Sequence, residues 1–334
     1  MMAQYDVFGV ENSLVDIQAF VSDVFLDDIG VNKSIMHLVD EERSRSILRR
    51  LEGLPTEIVP GGSCANTMRT VAFLGGKSVY TGSVADDLYG RIFEDKLRSF
   101  GVKTITKWLT HGMTGSCVIL TTPDAERTMN THLGVCREIT KADIDLDVLK
   151  ASRVFYTTGY MWDTDEQKAA AIFAMEQAKR FGLKISFDIA DPFLVERNRG
   201  EFPEIIKEYV DILFGNAQEV MMLTDIDSPL EAGKALRHAG SIVTVKLGKS
   251  GSYVITDTVE KVDSFAVDAI DSTGAGDAYA GGFLYAYCQN KPLAECARVA
   301  NYIASRMVTV KGMGFHDLNQ AAIQAAIADM RHAL

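Results

Sequence analysis

Val154-Phe155-Tyr156-Thr157, the helical stretch Thr164 to Phe181, and Lys184-Ile185-Ser186-Phe187-Asp188 together decide the fold. Two short runs of β-favouring residues flank a helix long enough to carry the chain back across a sheet, which is the pattern of parallel strands joined by a crossover. The same grammar extends in both directions. Val7 to Val10 and Ser78 to Val84 read as earlier strands, Asp211 to Phe214 and Ile242 to Leu247 as later ones. Helical patterns fall between them at about Glu41 to Glu52, Ser63 to Leu74, Asp87 to Phe100 and Pro229 to His238. Three more helices follow near Gly276 to Cys288, Pro292 to Val308 and Leu318 to His332. This alternation predicts an α/β sandwich around a mainly parallel sheet.

Val102 to Thr131 breaks the pattern. Lys103 to Leu109, Ser116 to Thr122 and Arg127 to Thr131 are joined by turns with no helix between them, as antiparallel strands would be. With the alternating Ser13 to Phe20, they predict either a small sheet standing off the main body as a lid or an antiparallel extension of its edge. No repeat, low-complexity tract or long linker interrupts the chain, so residues 1–334 read as one domain. The lid segments would be about 11–60 and 103–135.

Composition narrows the function. Of 334 residues, 34 are Lys or Arg and 45 Asp or Glu, a net charge of −11, and 47% are hydrophobic. Such a chain folds around a substantial core, and it carries no bulk basic charge for nucleic acid, so an anionic ligand must be held locally. Cys64, Cys117, Cys136, Cys288 and Cys296 are odd in number, with no CxxC pair and no N-terminal secretion signal ahead of them, which predicts a reduced, cytoplasmic protein. No apolar run is long enough to span a bilayer, and the histidines lack the paired spacing of a zinc site.

The sharpest motif is Asp271-Ser272-Thr273-Gly274-Ala275-Gly276-Asp277, leading into Ala278 to Phe283. Small residues at 274 to 276 let backbone N–H groups approach an oxyanion, and the helix that follows directs its positive end to the same place. Asp277 in the first turn can take a proton from a hydroxyl brought to that anion; as the bland alternative, it merely complements the helix dipole. Neither Gly76-Lys77-Ser78 nor Gly248-Lys249-Ser250 is a P-loop, since Val71 and Val243 stand where its first glycine belongs. Tyr279 likewise breaks the dinucleotide fingerprint. A second cluster, Gly61-Gly62-Ser63-Cys64-Ala65-Asn66, opens a helix with an amide that suits a vicinal diol or simply completes a helix turn. A third, Asn216-Ala217-Gln218-Glu219, follows a strand and reads as a hydrated-Mg²⁺ site or as a capping box.

Taken together, these clusters resemble the ribokinase-like (pfkB-type) family of carbohydrate and nucleoside kinases, whose C-terminal signature Asp271 to Leu284 satisfies at every position. Gly61, Gly62 and Asn66 correspond to the N-terminal signature, Gly82 to Gly90 follows in order, Asn216 to Glu219 matches the NxxE motif, and Val245 to Gly248 with Gly251 matches the nucleotide-binding strand and turn. The opening Gly9 to Ile17 is similar to the adenosine kinase branch, and Ala125-Glu126-Arg127-Thr128 to that branch's GER-S/T turn.

The resemblance implies a three-layer α/β/α sandwich with a β-sheet lid. It also implies an ATP- and Mg²⁺-dependent kinase acting on the 5′-hydroxyl of a nucleoside, adenosine first. A sugar kinase of the same fold and a non-catalytic nucleoside or sugar sensor are the alternatives, and the implied state is a monomer or homodimer. By the same resemblance, Asp277 is the base and Gly274, Ala275 and Gly276 the anion hole, with Arg127 closing from the lid. Asn12, Asp16, Gly61, Gly62 and Asn66 bind substrate. Asn216, Lys246, Gly248, Gly251, Ser272 and Thr273 bind ATP, and Glu219 reaches the metal through water. Arg127 has exposed salt-bridging as its bland alternative. Three positions depart from the family pattern: Glu11 replaces a small or uncharged residue, Met68 a small one, and Ala125 a glycine. Met36 and His37 are expected near the substrate's base. Asn301 reads as a helix-surface amide or an adenine contact; Asp188 and Asp191 lie where the resemblance implies residues near the phosphates, and a solvated strand-end loop explains them as well.

Overall fold

In the computed structural model, which describes residues 3–124 and 126–330, nine strands form one sheet. Their order across it is Val259–Val262, Ser252–Ile255, Ile242–Lys246, Ile212–Asn216, Lys184–Asp188, Ser152–Thr158, Tyr5–Val10, Ser78–Thr81 and Lys103–Thr104. Every neighbouring pair is parallel except the two involving Ser252–Ile255. The period of two sorts each central strand onto two cores: Val154 and Tyr156 pack into one, Phe155 into the other. Both faces are therefore apolar, and the strands read as continuous hydrophobic runs.

The Asp165–Phe181 helix covers one face with Ala170, Ala171, Ala174, Met175 and Ala178. It begins where the Thr164 side chain accepts from Gln167 N–H and ends at Gly182, whose φ of 76° closes the last turn. The Ser63–Phe73, Ala275–Cys288 and Leu293–Met307 helices cover the opposite face. The result is the expected three-layer α/β/α sandwich. No helix among the described residues is long and apolar enough to cross a membrane.

A second sheet of five strands has the order Met36–Leu38, Arg127–His132, Gly115–Thr121, Leu14–Phe20, Thr56–Gly61. Gly115–Thr121 and Arg127–His132 pair antiparallel as the turn between them dictates, whereas Leu14–Phe20 joins Gly115–Thr121 in parallel. Lys103 to Leu109 does not belong to this sheet, which corrects the expected segment 103–135. The run splits into Lys103–Thr104, parallel to Ser78–Thr81, and Lys107–Leu109, parallel to Ser83–Ala85. Its alternation is too short to distinguish an edge strand of one sheet from a member of the other. The final helix covers Gln320–Asp329, and the expected His332 end, like Ala125, lies outside the described residues.

Candidate active site

The site lies where the parallel strands end. Gly274 caps the Ala275–Cys288 helix at φ 72°, and a Cβ there would stand 1.9 Å from Met313 Sδ, so only glycine makes this turn. Asp277 follows in the first turn. Its Oδ1 accepts from Ser63 Oγ and its Oδ2 from Asn66 Nδ2 at 2.9 Å, while Thr67 Oγ1 donates to its backbone carbonyl at 3.3 Å. The glycine cluster's helix is thus packed directly against the Ala275–Cys288 helix. Burial raises the Asp277 carboxyl above its ordinary range, and the bonds from Ser63 and Asn66 offset part of that rise.

Arg69 settles which way the Asn66 amide points. Its Nη1 donates to Asn66 Oδ1 at 3.2 Å, leaving Nδ2 for Asp277. The guanidinium is buried, bonded to the carbonyls of Pro60 and Met313, and lies 4.5 Å from the Phe100 ring centroid and 5.0 Å from that of Phe315. Burial lowers its pKa to about 10, still well above neutrality, so it remains a cation.

Lys246 ends its strand beside the 274–277 loop: a Cβ on Gly276 would be 3.3 Å from Nζ. The ammonium pairs with Asp188 at 3.0 Å. Burial pulls its pKa down, but the Asp188 and Glu219 carboxylates outweigh that and hold it charged. Asp188 thereby enters the site as the counter-ion of Lys246 and not as part of a solvated loop; its position at a strand's carboxyl end was the available signal. Asn216 and Glu219 form the capping box. Glu219 Oε2 accepts from Asn216 N–H at 2.7 Å, Oε1 from the Asn216 amide, and Glu219 N–H donates to Asn216 Oδ1 at 2.9 Å. Burial pushes Glu219 up to about 7, against the pull of Lys246.

These residues line a cavity of about 830 Å³. Ser63, Asp188, Lys246 and the 274–277 loop supply polar groups, while Phe265, Ala266, Val267, Ala304 and Val308 supply apolar surface. Asn216, Glu219, Gly248, Gly251 and Ser272 lie on its wall as well. Gly251 also has a packing role, since a Cβ there would be 2.0 Å from the Val262 carbonyl. Asn301 is buried, not on the surface: its amide donates to Val262 and Asp263 carbonyls and it too lines the cavity.

Three expected residues sit on the neighbouring second sheet or its approach. Asp16 packs against Gly61, where a Cβ would meet Oδ1 at 2.4 Å, and burial pushes its carboxyl up to about 7. Arg127 Nη1 reaches Asp271 Oδ1 at 3.2 Å and donates to Thr273 Oγ1, so the residue spans from the five-stranded sheet to the loop before the Ala275–Cys288 helix. Asn12 is buried, its amide taken up by Gln167 and the Tyr160 carbonyl. Gly62 opens the Ser63–Phe73 helix at φ 88°. Sequence reasoning missed Ser63, Arg69 and Gln167. The spacing of 63, 66 and 69 at one helix turn each was the signal for the first two.

The sequence profile of the pfkB family carbohydrate kinases matches residues 47–320. The chain belongs to this family. Two solved structures are similar over 98% of the chain and all of their own length. They are adenosine kinase from Sinorhizobium meliloti, at 36% identity and a TM-score of 0.87, and a probable sugar kinase from Rhizobium etli CFN 42, at 35% and 0.88. A nucleoside kinase from Methanothermobacter thermautotrophicus is 30% identical over 83% of this chain and 86% of its own. The pfkB chain is accordingly a sugar or nucleoside kinase, a phosphotransferase with an alcohol acceptor.

Proposed function

We propose that this kinase transfers the γ-phosphoryl group of ATP to the 5′-hydroxyl of a nucleoside, with adenosine as the acceptor of choice. The observation that carries the reading is Asp277, held through both oxygens in the first turn of a helix that opens with Gly274-Ala275-Gly276. The cavity suits ATP: apolar surface from Phe265, Ala266 and Val308 for the base, and Lys246 with the 274–276 amides for phosphate oxygens. Relatives named adenosine kinase and nucleoside kinase support a nucleoside acceptor.

In this reading Asp277 accepts the acceptor's hydroxyl proton as its oxygen forms a bond to the γ-phosphorus and ADP departs. Its raised pKa makes it a stronger base than an ordinary carboxylate. The 274–276 amides and Lys246 stabilise the charge on the transferring group. Arg127 moves from Asp271 onto that group as the five-stranded sheet closes, making the sheet a lid. Asp16, Gly61, Gly62 and Asn66 hold the acceptor, with Asn12 behind them. No group of three or more His, Cys, Asp or Glu side chains able to hold a metal occurs among the described residues. In this reading Mg²⁺ is carried mainly on phosphate oxygens and water. Both Glu219 oxygens already accept from Asn216, so Glu219 fits contact through a water molecule. Bound there, Mg²⁺ would neutralise phosphate charge.

A free-sugar acceptor is the second reading, favoured by the probable sugar kinase relative. Coupled ADP release with Mg-ATP and a panel of adenosine, inosine, guanosine, cytidine, ribose and fructose separates the two. Turnover of adenosine without ribose is expected; turnover of free sugars alone overturns the nucleoside acceptor. No turnover with any of them would favour a sensor. Asp277→Asn should retain ATP binding and lose ~10²- to 10⁴-fold in kcat. Near wild-type turnover in that variant would remove Asp277 from the role of base.

A further inference from the structure

The Ser63–Phe73 helix has no cap of its own. Gly62 occupies the capping position with φ 88° and no side-chain bond, and a Cβ there would stand 2.9 Å from the Asn12 carbonyl oxygen. A capping side chain is sterically excluded at this position, yet the N–H groups of a helix's first turn need acceptors. One of them is supplied from outside the helix: Cys64 N–H donates to Glu11 Oε2 at 3.0 Å.

Glu11 is anchored on its other sides. Its Oε1 shares a hydrogen bond with Thr158 Oγ1, at the end of the Ser152–Thr158 strand, and its backbone carbonyl accepts from Tyr80 Oη at 2.9 Å. The side chain is 1% exposed. Glu11 thus ties the start of the helix to two strands of the main sheet. That helix start carries Ser63 and Asn66, the two side chains that occupy the oxygens of Asp277.

We propose that Glu11 is a positioning residue for Asp277. It caps the Ser63–Phe73 helix from outside, so that Ser63 and Asn66 present their donors to the Asp277 carboxylate in one fixed geometry. The inference rests on Asp277 being the base. A buried carboxyl is a costly way to cap a helix, and the chain reduces that cost by keeping the proton. Burial pushes Glu11 up to about 8, with Asp277 and Asp188 adding to the rise and the Thr158 and Cys64 bonds opposing it. At neutral pH Gln is consequently a close mimic. Its amide oxygen can accept from Cys64 N–H while its NH₂ faces Thr158 Oγ1, since a hydroxyl can exchange donor and acceptor roles.

The test compares Glu11→Ala, Glu11→Gln and Thr158→Val with wild type and Asp277→Asn, using the acceptor turned over best in the panel and following each variant's thermal melt. Glu11→Ala should lower kcat ~10- to 100-fold, the scale of a displaced catalytic group, with KM for ATP within about twofold. Glu11→Gln should recover kcat to within about threefold of wild type. In Glu11→Ala the acid limb of the kcat profile should move to higher pH, because the bonds that lower the Asp277 pKa are loosened. If Glu11→Ala does not fold, Thr158→Val carries the test with an expected loss of about threefold or more in kcat. Wild-type kcat and an unmoved acid limb in a folded Glu11→Ala protein, or in Thr158→Val where that variant stands in, overturn the proposal. An inactive Asp277→Asn beside such a result leaves the base intact and removes only Glu11. An active Asp277→Asn removes the base itself.

Discussion

Arg127, on the five-stranded sheet, ion-pairs with Asp271 at the start of the loop before the Ala275–Cys288 helix, Nη1 to Oδ1 at 3.2 Å. Asp271 is itself held by N–H groups of Gly312 and Thr273 and by Thr273 Oγ1. Burial raises its carboxyl, but these bonds and Arg127 more than reverse that and leave its pKa below the ordinary value. The guanidinium is therefore parked on a stable carboxylate one loop away from the proposed phosphate site. Arg127→Ala should lower kcat ~10- to 10²-fold through loss of charge stabilisation. The pair is partly exposed and worth at most about 1 kcal/mol, so the melting temperature should move by no more than about 4 °C. Steady-state kinetics with a thermal melt checks both. A large fall in melting temperature with unchanged kcat would make Arg127 a structural tie.

Lys246 and Asp188 form the buried ion pair of the cavity, and the two partners should fail differently. Asp188→Ala removes the carboxylate bonded to the ammonium and leaves Glu219 as its remaining neighbour, so a loss of up to ~3–5 kcal/mol is expected by urea denaturation. Lys246→Met removes the cation beside Gly276, and KM for ATP should rise about tenfold or more. Equal ATP affinity in Lys246→Met and wild type would take Lys246 out of the nucleotide site.

The two loop glycines also separate fold from function. Gly274→Ala must adopt a left-handed conformation and displace Met313, so it should lose ~2 kcal/mol or more of stability along with activity. Gly276→Ala meets only the flexible end of Lys246, at 3.3 Å. It should melt near wild type yet bind ATP more weakly, because its methyl group stands between the amides and the ammonium. Calorimetric melts and an ATP titration of the two proteins decide the point; similar melting temperatures would contradict the steric assignment.

Much of this architecture was legible because local pattern and global fold agree. Val154 to Asp188 reads as strand, helix and strand, and Thr164 and Gly182 cap that helix as their chemistry requires. The 274–277 turn was equally readable, since its left-handed start requires a glycine and Asp277 falls in the first turn of the helix that follows. What the sequence concealed is carried by long-range pairing. Lys103 to Leu109 has the alternation of a strand, but nothing in seven residues states which sheet will accept it. Asp188 looks like any strand-end acid until Lys246, 58 residues away, arrives beside it. Glu11 reads as a departure from a family pattern, and its cap on Cys64 appears only when the chain folds back across 53 residues.

Four buried carboxyls, Glu11, Asp16, Glu219 and Asp277, give the protein an unusual response to pH. Burial raises Glu11 from 4.5 to about 8, Asp16 from 3.8 to about 7 and Glu219 from 4.5 to about 7. Each is an acid that holds its proton more tightly in the folded state than in the unfolded chain. At pH below about 4 both states are protonated and these groups contribute nothing. As pH rises, the unfolded chain ionises first, so stability falls from about pH 4, and the parts due to Glu11, Asp16 and Glu219 level where those groups titrate in the folded state, at about 7 to 8. Glu11→Gln cannot ionise in either state and lacks Glu11's part of this loss. Its melting temperature relative to wild type should rise steadily between pH 5 and pH 8, even where the substitution costs some packing at acid pH. Thermal melts of both proteins at pH 5, 6.5 and 8 measure the difference. A constant gap across that range would mean that Glu11 is ionised throughout in the folded protein, and that its bonds to Cys64 and Thr158 are made by a carboxylate.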